Sequence, residues 1–254
     1  MQMNYLFAVL LSLFFYQPML PSGKSLGLIL AIGIPTGFLY VAGFYFLAYN
    51  IRQNGAILSS SISKMGILFS IALSYLLFRE KLSLFQISGL TLGILSMLLY
   101  FEYFNRVKEN NDLILKPNRF LLFLLLLSQG LAEITNKLFS FYGNLMYKPL
   151  FLFIVFFVAF CFCSFLLIQQ KGHTTNLKKE IGFGFLLGIP NYFSSYFFID
   201  AFKTLPSPIV FSLFSMGTIL LVAFVSSIFF KEKIDLNKFV FLFFILISIW
   251  LLNL

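Results

Sequence analysis

Three ionisable side chains fall well inside apolar runs of this 254-residue sequence, where a charge is expensive to keep. Glu133 and Lys137 lie four positions apart in the run 119–142, and Lys64 lies in the run 56–78, within Ser61-Ile62-Ser63-Lys64-Met65-Gly66. Placing one such group in a membrane-spanning helix costs at least ~2.5 kcal/mol, so each is a functional-site hypothesis. The spacing of four puts Glu133 and Lys137 on one helix face, with Gln129 one turn earlier and Asn136 beside them in sequence. A lysine here can hold an anionic group, and Glu133 can take up a proton. Two lysines against one glutamate leave a positive charge over, which favours an anionic solute. The competing reading is a neutral internal pair that tethers helices. A second constellation follows Pro190: Asn191, Tyr192, Ser194 and Ser195 supply donors and acceptors suited to a small polar ligand, although Ser and Tyr also join helices to one another.

The elements that position these groups are apolar stretches. With 60% hydrophobic residues, 37 Phe and a mean hydropathy of +0.94, the chain has too little polar surface to enclose itself in water. About nine runs reach spanning length, at 4–20, 26–49, 56–78, 82–103, 119–142, 149–169, 181–203, 207–230 and 238–254. The formal charge of +9 is spread over short connections without a basic stripe, which indicates membrane-surface anchoring and no nucleic-acid partner. Cys161 and Cys163, two apart in an apolar run, fall on different helix faces and serve packing.

The chain also repeats itself. Phe78-Arg79-Glu80-Lys81-Leu82 returns as Phe230-Lys231-Glu232-Lys233-Ile234, and Ser74 returns as Ser226 at the same spacing. Gly27, Gly33 and Pro35 return as Gly182, Gly188 and Pro190. Lys64 is not repeated, because its counterpart is Met216, so it is more than repeat scaffolding. A proline inside a span frees a backbone carbonyl, and Gly33-x-Pro35 and Gly188-x-Pro190 therefore mark helix breaks that could gate a site, or simple packing kinks. The domain plan is a first repeat over 1–104, a polar linker over 105–118 and a second repeat over 119–254.

The Glu-Lys-Leu-Ser turn, the Gly and Ser of 83–93, their return in the second half and the chain length resemble the drug/metabolite transporter superfamily, EamA type. The resemblance spans nearly the whole chain. It implies an all-α polytopic membrane protein built as two inverted repeats, moving small metabolites across the bacterial inner membrane. Such proteins have ten helices, whereas about nine are counted here, so the first repeat lacks one helix of the plan. Five spans separate Arg79 from Lys231, which sets the two charged turns on opposite membrane faces. One set of alternating loops holds five Lys and Arg and the other eleven, and the positive-inside rule puts the richer set, and residue 1, in the cytoplasm. The ten-helix plan implies the reverse.

No catalytic motif is present: there is no HExxH, no Gly-rich phosphate loop and no paired acidic metal site, so neither an enzyme nor a metal or other cofactor is expected. The expected partners are a small-molecule solute and the lipid bilayer, with a homodimer open. The alternative function is a non-transporting helical scaffold or a lipid-handling protein.

Overall fold

The computed structural model describes residues 1–16, 21–54, 56–78, 83–89, 91–93, 95, 96, 99, 119–169, 177–205, 207–229, 231, 236–251 and 254. Among them there is no strand. The helices are α1 (Gln2–Phe14), α2 (Gly23–Asn54), α3 (Ala56–Lys64), α4 (Gly66–Phe78), α5 (Leu84–Gly93), α6 (Arg119–Tyr142), α7 (Lys148–Gln169), α8 (Leu177–Thr204), α9 (Ser207–Phe229) and α10 (Leu236–Leu251). Among the described residues four stretches are both long and apolar enough to cross a membrane by themselves: Gly23–Gln53, Phe120–Tyr142, Leu145–Ile168 and Ile209–Phe229. The chain is an all-α, polytopic membrane protein.

Three expectations change. The first span ends early: α1 stops at Phe14, where Phe15 N–H still donates to Leu11 O at 3.0 Å and Tyr16 N–H tightens onto Leu13 O at 3.2 Å. Pro18, which has no N–H to donate, lies just beyond. The third span is not continuous either. It is interrupted at Met65, whose N–H donates to Ile62 O at 3.1 Å and whose carbonyl accepts from Leu68 N–H at 3.0 Å, the three-residue spacing of a tightened turn. Conversely, the two Gly-x-Pro sites break nothing. Both α2 and α8 run unbroken through Pro35 and Pro190, and both prolines are exposed. Thr36 Oγ1 donates to Ile32 O at 2.6 Å and supplies a side-chain donor in the turn where Pro35 removes a backbone one. The linker 105–118, His173 and the turn residues Arg79 to Leu82 and Glu232 to Asp235 lie outside the described residues. Lys231, at the edge of the second charged turn, has a left-handed backbone with φ 51°.

The described chain divides into two compact units, one from Met1–Ala42 with Thr135–Leu205 and the other from Gly43–Ile134 with Pro206–Leu254. Each draws on both halves of the sequence, and α2 and α6 contribute to both, so compactness cuts across the division at 105–118. In the first unit α1 packs against α7 and α8 over a core that includes Tyr5, Phe139, Phe151, Phe156 and Tyr192. Phe139 and Phe151 stack with centroids 4.0 Å apart. Lipid offers no hydrophobic drive between helices, so close backbone approach decides who packs on whom. A Cβ on Gly188 would lie 2.7 Å from Asn4 O, and one on Gly37 would lie 2.6 Å from Val155 O. Thus Gly184 and Gly188 seat α1 on α8, and Gly33 and Gly37 seat α2 on α7.

In the second unit α3 packs on α9, and α9 also meets α4 and α10. The hydroxyl of Ser248 donates to Gly89 O at 2.6 Å and ties α10 to α5.

These contacts yield a contrast between two glycines of one helix. Gly188→Leu must displace α1, whereas a Cβ on Gly182 would meet nothing within 4 Å, so that position should accept leucine freely. Overpacking costs ~1–3 kcal/mol, so G188L is expected to lower the unfolding midpoint in detergent by several degrees while G182L leaves it unchanged. Differential scanning fluorimetry of the two variants checks this.

Candidate functional site

The charged part of the site begins with a crossing of two glycines in the second unit. A Cβ on Gly130 of α6 would lie 2.6 Å from Gly66 O, and one on Gly66 would lie 2.8 Å from Gly130 N, so neither position accepts a side chain without movement. Ser70 Oγ donates to Gly130 O at 2.8 Å and pins α4 to α6. One turn along α6 from this crossing stands Glu133, and two residues before Gly66 stands Lys64, the last residue of α3. The interruption at Met65 therefore delivers Lys64 to Glu133. Lys64 Nζ is 3.5 Å from Glu133 Oε1 and 4.1 Å from the centroid of the Phe214 ring on α9. The two side chains are 13% and 8% exposed.

This pair is open. Charge-assisted N–H···O contacts close to ~2.7–2.9 Å, and neither carboxylate oxygen of Glu133 has a well-formed hydrogen bond. Two further buried oxygens in the same unit, Ser59 Oγ and Ser215 Oγ, have no hydrogen-bond partner. Each such group costs ~1–3 kcal/mol. Gln129 is half-buried, with its amide against Gly43.

The first unit holds a neutral network. Asn136 Nδ2 donates to the Tyr40 hydroxyl at 3.0 Å, which shares a 3.2 Å hydrogen bond with Ser195 Oγ, while the Tyr5 hydroxyl donates to Tyr40 O at 3.0 Å. Asn191 Nδ2 donates to Asn4 Oδ1 at 3.4 Å. Tyr192 is fully buried, stacked on Phe15 with centroids 5.8 Å apart and with its hydroxyl unpartnered. Lys137, one turn beyond Glu133 on α6, is 3% exposed. Ser194 is exposed and points away from this network, because its neighbours Tyr192 and Ser195 occupy the inner face of α8.

The structure thus brings together Lys64 with Glu133, and Asn136 with Ser195 through Tyr40. Sequence reasoning missed Asn4, Tyr5, Tyr40 and Lys148. Asn4 carried a readable signal, an amide inside an apolar run, but Tyr40 looked like any aromatic. By its place between two apolar runs, Lys148 reads as a loop charge. It is buried at 3%, ion-paired with Asp200 and set 3.1 Å from the centroid of the Tyr196 ring, and Lys203 also reaches Asp200 at 3.0 Å. Among the described residues no group of three His, Cys, Asp or Glu could hold a metal ion.

The Tyr40 hydroxyl joins three helices of the first unit through Asn136 and Ser195, so Tyr40→Phe removes two buried hydrogen bonds at once. A loss of ~1–3 kcal/mol follows, read as a lower unfolding midpoint. Ser194→Ala, on the outer face, should be neutral in the same melt.

Comparison with known proteins adds one result. No curated protein matches this chain. The sequence model of the EamA-like transporter family matches residues 2–101 and 120–254, and the gap between the two matched stretches falls on the polar segment. With its apolar spans, its duplicated turn and a match over nearly all its length, the chain belongs to the EamA-like transporter family and is a multi-pass membrane transporter of the drug/metabolite type.

Proposed function

We propose that this transporter moves a small polar or anionic metabolite, amino-acid-like or drug-like in size, across a bacterial inner membrane, with Lys64 and Glu133 as its binding and proton-coupling pair. The observation that carries the proposal is the open, buried pair itself. Breaking a buried ion pair by removing one partner costs ~3–5 kcal/mol, because the other charge is left uncompensated. A solute carboxylate or phosphate that takes Lys64 therefore strands Glu133, and protonation of Glu133 relieves the cost. Solute and proton then move as linked quantities. A solute carrying both charges satisfies Lys64 and Glu133 at once and needs no proton. Lys137, Asn136, Asn191, Tyr192 and Ser195 belong to the first unit and are proposed there, by themselves, as further polar contacts for a solute. Gly33 and Gly188 act in packing, so movement is assigned to the interruption at Met65 more than to Pro35 or Pro190.

Purified protein in proteoliposomes, offered labelled amino acids and organic anions with and without a pH gradient, tests this reading. Glu133→Gln is expected to abolish dependence on the gradient while retaining the fold. Lys64→Met, its counterpart residue in the second copy, should weaken apparent solute affinity by ~10-fold or more, the equivalent of one charge-assisted hydrogen bond. Unchanged affinity together with an unchanged pH response would make the pair a structural tether.

A further inference from the structure

Serines in the helices of this protein usually turn their hydroxyls back onto the preceding turn. Ser12 donates to Ala8 O at 2.8 Å, Ser96 to Leu92 O at 2.7 Å and Ser164 to Phe160 O at 2.8 Å. That habit satisfies a hydroxyl locally in an apolar setting. Ser59 of α3 and Ser215 of α9 depart from it: both are fully buried and neither hydroxyl has a partner. They lie in the two helices of the second unit that pack on one another. Ser215 adjoins Phe214, whose ring contacts the Lys64 ammonium, and Ser59 precedes Lys64 by five residues on α3, a rise of ~7.5 Å. Glu133, in the same unit, adds two more buried oxygens without a well-formed hydrogen bond. Four such oxygens lie in one unit, two of them on the ion pair itself, and water is the small molecule that can donate to and accept from each.

We infer that the α3–α9 contact carries a hydrated hydroxyl path that delivers protons to Glu133. The path starts at the C-terminal end of α2, where Ile51 and Arg52 are exposed, and enters α3 at Ser59, one turn inside that helix. It continues past Ser59 and Ser215 to the carboxylate. A proton from water at that surface passes along the hydrogen-bonded chain, Glu133 accepts it, and the ammonium of Lys64 is released to the solute. When the solute leaves, Glu133 returns the proton to water and pairs with Lys64 again. Among the described residues the charged group paired with Glu133 is Lys64 from α3, and Lys137 follows four residues later on α6. The only titratable residue in α4 is Tyr75, and α9 contains none.

This inference rests on the proton-coupled reading above, and infrared spectroscopy of the full-length protein in lipid separates the two without any solute. At acid pH the band of a protonated carboxyl that is lost in Glu133→Gln reports Glu133, and its shift on transfer to D2O measures how fast water reaches it. Ser59→Val and Ser215→Val should slow that exchange by about tenfold each, the factor set by losing one hydrogen-bonded relay group. Ser59→Thr and Ser215→Thr, of the same shape but with the hydroxyl kept, should exchange as the parent does. Ser→Ala variants, which disturb packing least, should slow it in the same direction. If the band is present and exchange is equally fast in valine and threonine variants, the path is wrong and the coupling reading stands. If no band depends on Glu133, that residue takes no proton and both fall.

Discussion

The backbone contact between Gly66 and Gly130 is the constraint on which the charged site depends. Two glycines let α4 and α6 approach until a side-chain carbon at either position would touch the other main chain, and Ser70 fastens the crossing with one hydrogen bond. In water such an approach would be a detail beside the hydrophobic effect. In lipid it is the principal attraction available, because hydrocarbon solvates an apolar helix as well as another helix does. Everything near the crossing follows from its position. The turn at Met65 adjoins it, α3 ends at Lys64, and Glu133 stands one turn further along α6.

The two units solve the problem of buried polarity in different ways. The first uses neutral groups, with one tyrosine hydroxyl and its carbonyl gathering Asn136, Ser195 and Tyr5. Of its two buried lysines, Lys137 and Lys148, the latter is closed by Asp200 and an aromatic face. The second unit leaves its ion pair apart at 3.5 Å; buried hydroxyls without a partner occur in both units, Tyr192 in the first and Ser59 and Ser215 in the second. A closed ion pair rigidifies a helix bundle, whereas an open one retains capacity for a proton or a ligand. That contrast is why the transport chemistry is assigned to the second unit and the neutral network is treated as support and secondary contact.

Glycine and proline carry opposite lessons. At Gly-x-Pro the proline suggested a break, yet the helix absorbs it, because the proline faces outward and Thr36 contributes a donor in the same turn. The glycine of that motif is the functional half, since it admits a neighbouring helix. The actual interruption lies at Met65, a residue with no reputation for breaking helices. Its cause is tertiary: Gly66 is drawn against α6, and Lys64 is drawn to Glu133.

Composition and period by themselves determined that this chain is a helical membrane protein, that it is internally duplicated, and that Lys64, Glu133 and Lys137 are its exceptional buried charges. Those facts are legible because the cost of polar groups in lipid acts on each residue where it stands, and because a repeat is a property of the string. Which lysine pairs with Glu133 was not legible. The helix spacing pointed to Lys137, and packing through Gly66 and Gly130 brings the distant Lys64 within reach. Nor could the sequence show that Tyr40 joins Asn136 to Ser195, that Ser194 faces outward, or that Lys148 is buried. Each depends on which helix face meets which neighbour, and a chain in which nearly every face is apolar has no hydrophobic periodicity to record that choice.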